Sequence, residues 1–236
     1  PLMPLRLFES RNVSGANLVQ ALVVVGMFGM FFLGALYMQR ILGYDALEVG
    51  LAYLPATLVM GTMSFRFTAQ LNLRFGAKAT LLPGIAFIGA GMLLFARTPV
   101  EASYVVDLLP AMVVFGLGAG MAFPSLMTLA MSGATERDSG LASGLVNTSV
   151  QVGGAIGLAV LATLATERTS GLLADGESTA SALNSGYHLA YLVGALLVVA
   201  AIAVAGWVLQ PEPKAETETA TEPGFASGEP AYSDAL

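Results

Sequence analysis

The sequence predicts an all-α integral membrane protein, a bundle of six transmembrane helices, and two observations support that prediction. Hydrophobic residues make up 56% of the 236 residues and charged residues only 11%, which leaves too little polar surface for a soluble globule. The charges also divide the chain into six long uncharged runs, and a helix needs roughly 20 apolar residues to cross the hydrocarbon of a bilayer. We therefore expect the lipid bilayer to surround most of this chain.

The uncharged runs place the six helices in order within a bundle that spans residues 12–210. The second and third runs are the shortest, so we expect flanking residues such as Arg66 and Lys78 to extend them, with long side chains that reach the headgroups. The predicted helices cover about 14–38, 47–67, 79–96, 106–131, 140–166 and 186–209.

The positions of lysine and arginine predict the orientation, because cytoplasmic loops retain positive charge. Three arginines, Arg40, Arg97 and Arg168, fall on the external side if the N-terminus is inside. The other basic residues are then cytoplasmic, namely Arg6, Arg11, Arg66, Arg74, Lys78, Arg137 and Lys214. This distribution predicts a multi-pass membrane protein with residues 1–11 as a cytoplasmic segment and both termini in the cytoplasm.

Residues 211–236 differ in composition from the rest of the chain. They hold six acidic residues against Lys214, which accounts for −5 of the formal net charge of −6. Their Glu, Thr, Pro, Ser and Gly content cannot bury enough apolar surface to fold, so we predict a disordered acidic cytoplasmic tail. The remaining residues are nearly neutral, which argues against a nucleic acid partner. The sequence has no cysteine, which excludes thiolate metal sites, and we expect no metal and no cofactor.

Several short motifs, taken together and in order, resemble a known family. The second helix and its loop read Gly50-Leu-Ala-Tyr-Leu-Pro55 and Ala69-Gln-Leu-Asn-Leu-Arg-Phe-Gly-Ala-Lys78. Later segments read Gly116-Leu-Gly-Ala-Gly-Met-Ala-Phe-Pro124, Gly140-Leu-Ala-Ser-Gly-Leu-Val-Asn147 and Gln151-Val-Gly-Gly154. This order resembles the last six helices of the 14-helix drug:proton antiporters of the major facilitator superfamily, over residues 1 to about 210.

The resemblance implies a fold, a partner and an activity. The fold is the C-terminal six-helix domain of a major facilitator, which works by alternating access with an N-terminal transporter half that this chain lacks. The activity is multidrug efflux, in which amphipathic small molecules are exchanged for protons, and not catalysis. The location that the resemblance implies is a bacterial-type inner cell membrane. Pro1 cannot start translation, so we expect further chain upstream.

The resemblance also implies a cytoplasmic loop signature. Leu73 stands where the family usually has aspartate, and Ala69 where it usually has glycine, so only the basic anchor of the signature carries over. The residues that match the signature are Arg74, Phe75, Gly76 and Lys78.

The fifth helix carries the most organised polar pattern. At 100° per residue, one arc of roughly 100° collects Gly140, Ser143, Gly144, Asn147, Gln151 and Gly154. As a cavity wall, Ser143, Asn147 and Gln151 would hydrogen-bond substrate or water. As a packing face, the Gly-xxx-Gly spacings at 140/144 and 153/157 would admit a neighbouring helix. Both interpretations remain open.

The first helix and the proline and glycine positions supply further candidates. Asn17, Gln20, Met27 and Phe31 are candidate cavity residues, because methionine and aromatic side chains bind lipophilic cations by contact area and cation–π attraction. Lipid contact or packing explains the same residues. Hinges or close helix packing are alternative roles for Pro55, Gly116, Gly120, Pro124, Gly140 and Gly144.

None of the six uncharged runs holds a mid-helix carboxylate, the expected proton carrier, so we expect the coupling carboxylates in the missing half. Glu48 and Asp107 are predicted to cap external helix ends, and His188 to form an interfacial hydrogen bond. Two alternatives remain: a six-helix unit that homodimerises into a transporter, and a rhomboid-like serine protease using Ser143 and His188. Against the protease, these two residues belong near opposite membrane faces.

Overall fold

The computed structural model describes residues 10–132 and 139–210, and every regular element within them is helical. The π-helical segment Met63–Thr68 connects the second α-helix to the third. A second π-helical segment, Tyr104–Leu108, leads into the fifth α-helix. The α-helices are α1 (Arg11–Arg40), α2 (Ala46–Thr62), α3 (Ala69–Phe75), α4 (Ala77–Phe95), α5 (Leu109–Met131), α6 (Ser139–Ala174) and α7 (Thr179–Val208). The described residues thus form six helical segments that are long and apolar enough to cross a membrane, as predicted.

Several structural bounds differ from the predicted ones. The helical segment that begins with α2 continues to Phe75, α6 runs eight residues past the predicted end at 166, and α7 begins seven residues before the predicted start at 186. The predicted end of α6 lies just before the charged residue Glu167, whereas a helix continues into the headgroup region wherever its charged side chains reach water. The earlier start of α7 has a different cause: residues 179–185 are uncharged, and Ser178 caps them by accepting a hydrogen bond from the Ser181 amide. The predicted tail at 211–236 and residues 1–9 of the predicted N-terminal segment lie outside the described residues.

One end of the bundle, here called the Arg40 end, gathers three of the connections between helices. The Tyr37 hydroxyl donates to the Pro99 carbonyl oxygen at 2.6 Å, and the Asn184 amide donates to the Thr98 carbonyl oxygen at 3.1 Å. These contacts bring α1 and α7 to the loop between α4 and α5. The connections 41–45, 96–103 and 175–178 therefore lie at the same end.

The opposite end, here called the Lys78 end, holds the turn at Gly76 and both ends of the described chain. The Gln210 amide donates to the Asn12 side-chain oxygen at 2.7 Å, so the start of α1 lies beside the end of α7. Lys78 donates to the Leu209 carbonyl oxygen at 2.7 Å, which brings the start of α4 to the same place. Successive spans therefore run antiparallel.

Helix α1 is central and contacts each of the other spanning segments. The pair α4 and α5 is closely packed: a Cβ atom placed on Gly118 would lie 2.6 Å from the carbonyl oxygen of Gly84, so glycine is required at this crossing. The least buried segments are those of α2 and α6, in which 17% and 22% of the most apolar stretch is buried, against 39–56% in the other four. These two segments therefore expose most of their surface.

Local signals explain where two of the spans begin. Asp45 and Glu48 form a capping box at α2, with side-chain to backbone distances of 2.8 and 2.9 Å. Asp107 accepts from the Ser103 amide at 2.7 Å before α5. The predicted capping roles of Glu48 and Asp107 are confirmed.

The turn between α3 and α4 depends on one glycine. Gly76 has φ +89°, a conformation that side chains with a Cβ rarely adopt. Its amide donates to the Asn72 carbonyl oxygen at 2.8 Å, which closes α3. The loop signature thus contains the residue that reverses the chain at the Lys78 end.

Candidate functional site

An open apolar groove with a volume of about 460 Å³ runs along the flank of α1 next to α6. The predicted candidates Met27 and Phe31 both line it, and α6 contributes Leu158. The remaining lining residues are Phe28, Phe32 and Ala35. A methionine and three phenylalanines offer flat and adaptable contact surface, which suits apolar or lipophilic cationic molecules of varied shape.

An aromatic cluster lies behind Phe31, one of the residues that line this groove. The ring of Phe31 lies 5.0 Å from that of Tyr53 on α2 and 6.2 Å, edge to face, from that of Phe115 on α5. The Tyr53 hydroxyl lies 3.0 Å from the carbonyl oxygens of both Met30 and Phe31, so its proton is satisfied by the backbone of α1. Rings from α2 and α5 therefore pack against Phe31, which itself lines the groove.

The sequence did not single out Tyr53, Phe115 or Leu158. Each lies in a uniformly apolar run, and hydrophobic periodicity does not tell a groove-facing side chain from a lipid-facing one. The tyrosine in α2 was the available signal, because a phenol inside a membrane needs a hydrogen-bond partner.

Asn17 and Gln20 lie in the interior at the Lys78 end of α1 and not in the groove. The Asn17 amide donates to the Val13 carbonyl oxygen at 2.8 Å, and its side-chain oxygen accepts from the Ser149 hydroxyl on α6 at 2.8 Å. Asn17 is therefore a polar contact between two helices. Gln20 is buried, with 6% of its surface exposed.

Asn147 and Gln151 are exposed on α6, on the side away from α1. At this level α1 contacts α6 through Ser149 and Gly153, and residues two positions apart on a helix point in nearly opposite directions. The Asn147 amide donates only to the Ser143 carbonyl oxygen, at 3.2 Å, within its own helix. The predicted candidates of α1 and α6 therefore do not share one pocket within the described residues.

The two Gly-xxx-Gly pairs of α6 have different surroundings. A Cβ on Gly153 would lie 2.8 Å from the Cα of Ala21, and Gly157 similarly abuts Val25, so this pair seats α1. A Cβ on Gly140 or Gly144 would meet no atom of the described chain within 4 Å. The pair Gly140 and Gly144 therefore lies on the same uncovered side of α6 as Asn147 and Gln151.

The candidate hinge glycines of α5 are packed. A Cβ on Gly116 would lie 2.6 Å from the Ala56 carbonyl oxygen, and one on Gly120 would lie 2.7 Å from the Met60 carbonyl oxygen. Both glycines therefore let α2 approach α5 closely. Pro55 and Pro124 lie inside α2 and α5, which continue through them.

The loop signature joins elements at the Lys78 end. Lys78 donates to the carbonyl oxygens of Gly206 and Leu209, at 2.8 and 2.7 Å, and so satisfies the end of α7. Arg74 is exposed, with its guanidinium carbon 5.2 Å from the centre of the exposed Phe75 ring. Lys78 thus has a structural role as a cap of α7, whereas Arg74 and Phe75 are exposed on the surface.

The two residues of the protease alternative lie far apart. His188 contacts the Thr98 carbonyl oxygen at 2.8 Å, which is the expected interfacial hydrogen bond at the Arg40 end. Thr169 of α6 and Ala182 of α7 meet at that same end. Ser143 lies some seven turns further along α6, roughly 30 Å away from the level of His188 at 1.5 Å per residue.

Comparison with known proteins places the chain among transporters. A puromycin resistance protein of Streptomyces alboniger is 35% identical over 239 residues, covering 98% of this chain and 46% of that protein. A cephamycin export protein of Amycolatopsis lactamdurans is 34% identical over 86% of this chain and 40% of its own length. A multidrug resistance protein B homolog of Mycobacterium tuberculosis is 30% identical over 70% of this chain and 31% of its own length.

The chain spans less than half the length of these relatives. The family model described as Major Facilitator Superfamily matches residues 1–158, which include the loop signature, the aromatic groove and the first half of α6. The chain therefore belongs to the major facilitator superfamily, a family of transporters and not of enzymes.

Proposed function

We propose that this chain forms the C-terminal six-helix half of a proton-coupled multidrug exporter, and that the groove of α1 forms part of its substrate-binding surface. The observation that carries the proposal is the groove itself, with Met27, Phe31 and Phe32 on an open face about 460 Å³ in volume. Apolar contact of this kind favours amphipathic organic compounds over sugars or inorganic ions. The relatives named for puromycin resistance and cephamycin export support the same substrate class.

The uncovered side of α6 supports a partner half. Asn147 and Gln151 lie roughly 12 and 18 Å from the start of α6 at 1.5 Å per residue, so both amides fall within the depth of the bilayer. An amide exposed to hydrocarbon is costly, and such residues face protein or a water-filled cavity. With Gly140 and Gly144 on the same side, this face suits contact with an N-terminal half across a central cavity.

The charge distribution supports a cytoplasmic Lys78 end. Among the described residues, this end carries Arg11, Arg66, Arg74 and Lys78 and no acidic residue. The Arg40 end carries three arginines together with seven acidic residues, Asp45, Glu48, Glu101, Asp107, Glu167, Asp175 and Glu177. By the positive-inside rule this distribution supports a cytoplasmic location for both ends of the described chain. The bacterial relatives support a bacterial-type inner membrane.

Drug accumulation in an efflux-deficient bacterial host tests the export proposal. The intact protein, with whatever chain precedes Pro1, is expected to lower the accumulation of puromycin and of several lipophilic cationic dyes. Unchanged accumulation of every compound would contradict export. Collapse of the proton gradient with a protonophore is expected to abolish the difference, and efflux that persists without the gradient would contradict proton coupling.

A matched pair of variants tests the role of the groove. Phe32 lines it and is 46% exposed, whereas Phe87 on α4 is 41% exposed and does not line it. We expect Phe32→Ala to alter the order of preference among exported compounds, while Phe87→Ala leaves that order unchanged. Equal effects of the two variants would show that the groove does not select substrate.

A further inference from the structure

A second open groove, with a volume of about 380 Å³, lies along α3 and the π-helical segment before it, at the Lys78 end. The Asn72 side chain of α3 accepts from the Ser125 hydroxyl of α5 at 2.8 Å, so this side of α3 is turned toward α5. Gln70 and Arg74, each two residues from Asn72, line the groove on the opposite side. The remaining lining residues are Met63, Phe67, Leu71 and Phe75. The groove therefore faces away from α5.

Arg74 supplies positive charge at the rim of this groove. Its guanidinium carbon lies 5.2 Å from the centre of the Phe75 ring, and both side chains are exposed. Arg66 is exposed on the same helical segment. The described residues of the Lys78 end include no carboxylate, so neither arginine has an acidic partner among them. An apolar surface edged by such cations matches a peptide that carries both carboxylates and aromatic rings.

Residues 211–236, here called the acidic segment, have that composition. They hold six acidic residues against Lys214, together with the aromatic residues Phe225 and Tyr232. They follow Gln210 directly, and the Gln210 amide lies at the Lys78 end. The acidic segment is therefore attached to the end of the bundle that carries the groove, and its charge is opposite to that of the groove.

The acidic segment is long enough to reach the groove. Because the Lys78 ammonium bonds to the Leu209 carbonyl oxygen, and Arg74 precedes Lys78 by four residues, the Cα atoms of Arg74 and Leu209 lie within roughly 25 Å of each other. Glu216 and Glu218 follow Leu209 by seven and nine residues, which span about 23–32 Å when extended. Attachment also keeps these carboxylates at an effective concentration of about a millimolar, so contacts too weak to hold a free peptide suffice.

We propose that the acidic segment docks on the groove of α3, with its carboxylates on the Arg74 guanidinium and an aromatic ring against Phe75 and Leu71. The docked segment covers exposed apolar side chains and neutralises unpaired cations at the Lys78 end. The proposal uses neither the aromatic groove of α1 nor the uncovered side of α6, and it holds for either orientation of the bundle. It therefore stands or fails independently of the export proposal.

The labelling rate of a cysteine in the groove tests the docking. Gln70→Cys places a thiol at an exposed lining position of the intact protein in neutral detergent. Labelling with uncharged N-ethylmaleimide is followed by mass spectrometry of the peptide that contains this position. Deletion of residues 211–236 is expected to speed the reaction about threefold, because the docked segment covers the thiol for most of the time. Asp175→Cys, at the Arg40 end, is the control and is expected to react equally fast with and without the segment. Equal rates at Gln70→Cys would overturn the proposal.

Two arginine variants test the charge that holds the segment. In each, the ratio of the labelling rates at Gln70→Cys without and with residues 211–236 is measured, so a direct effect of the arginine on the thiol cancels. The ratio is expected to fall from about three to near one in Arg74→Gln and to stay near three in Arg97→Gln, which removes an exposed arginine of the opposite end. A ratio that is unchanged by Arg74→Gln, or equally reduced by both variants, would contradict docking at this groove.

Salt and lipid distinguish the acidic segment from other anions. An increase of the sodium chloride concentration from 0.1 to 1 M shortens the screening length from about 10 to about 3 Å. It is expected to speed labelling at Gln70→Cys in the full chain and to leave the rate without residues 211–236 unchanged. Slow labelling that survives deletion of the segment and requires phosphatidylglycerol in the bilayer would assign the groove to lipid headgroups and overturn the proposal.

Discussion

Lys78 illustrates, at the scale of the residue, how a motif position acquires a physical task. The family resemblance identifies it only as a basic residue of a cytoplasmic loop. In the structure its ammonium group donates to two carbonyl oxygens at the end of α7, about 130 residues along the chain. Carbonyl groups at a helix end lack intrahelical partners, and a cation there is favourable.

Replacement of Lys78 by methionine is expected to lower the free energy of unfolding by about 1–2 kcal/mol, because two carbonyl oxygens lose a charged donor. Lys78→Arg is expected to recover part of the loss. Arg74→Met is the control, since Arg74 is exposed and its guanidinium lies only over the neighbouring Phe75. Thermal unfolding of the purified protein in detergent measures all three, and equal losses at Lys78 and Arg74 would contradict the capping role.

Glycines that look alike in the sequence have different surroundings in the structure. A methyl group on Gly116 would meet the Ala56 carbonyl oxygen, whereas one on Gly144 would meet no atom of the described residues. We expect Gly116→Ala to cost about 1–3 kcal/mol of stability and Gly144→Ala to leave the stability of this bundle nearly unchanged. The yield of folded, membrane-inserted protein and its melting temperature test the difference. A large loss in Gly144→Ala would indicate that its side of α6 packs against protein.

At the scale of the element, α6 has two sides with different tasks. Ser149, Gly153 and Gly157 seat it on α1 by close contact and one interhelical hydrogen bond. Asn147 and Gln151 lie on the other side, which the described bundle leaves open. The alternative roles of this helix, cavity wall or packing face, therefore divide between its two sides.

Alanine at Asn147 and Gln151 is expected to change substrate preference without loss of membrane-inserted protein, because neither amide bonds to another described helix. Asn17→Ala is a suitable contrast. It removes the bond to Ser149 and is expected to lower the protein level by weakening the contact between α1 and α6 by about 1 kcal/mol. Dye accumulation and immunoblots of membrane fractions separate the two outcomes. Reduced protein in the Asn147 and Gln151 variants would favour packing.

At the scale of the whole molecule, the antiparallel spans create two ends of opposite charge character. The absence of cysteine makes their orientation directly measurable by single cysteines and a membrane-impermeant maleimide. We expect Asp175→Cys, at the Arg40 end, to be labelled in intact cells, and Leu73→Cys, at the Lys78 end, only after the cells are permeabilised. Both positions are exposed. Labelling in the reverse order would contradict the proposed topology.

Six helices, their order and their approximate positions were predictable, because hydrocarbon admits only segments that satisfy their own backbone and such segments must be long and apolar. The capping residues Glu48 and Asp107, and the interfacial contact of His188, were predictable for similar local reasons. The end of α6 was not, because charged residues at a membrane surface continue a helix as readily as they end it. The start of α7 was not either, because residues 179–185 are uncharged and mostly small or polar, a composition that fits a loop as well as a capped helix start.

Which side of each helix meets which neighbour depends on interhelical packing and was not accessible from composition or spacing. Met27 and Phe31 face one groove, whereas Asn17 bonds across to α6 and Gln151 points away from α1. Hydrophobicity inside a bilayer is nearly uniform around a helix, so periodicity says little about facing. The side of a helix that meets its neighbour is determined by close approach at glycines and by a few hydrogen bonds, and both depend on residues far apart in the chain.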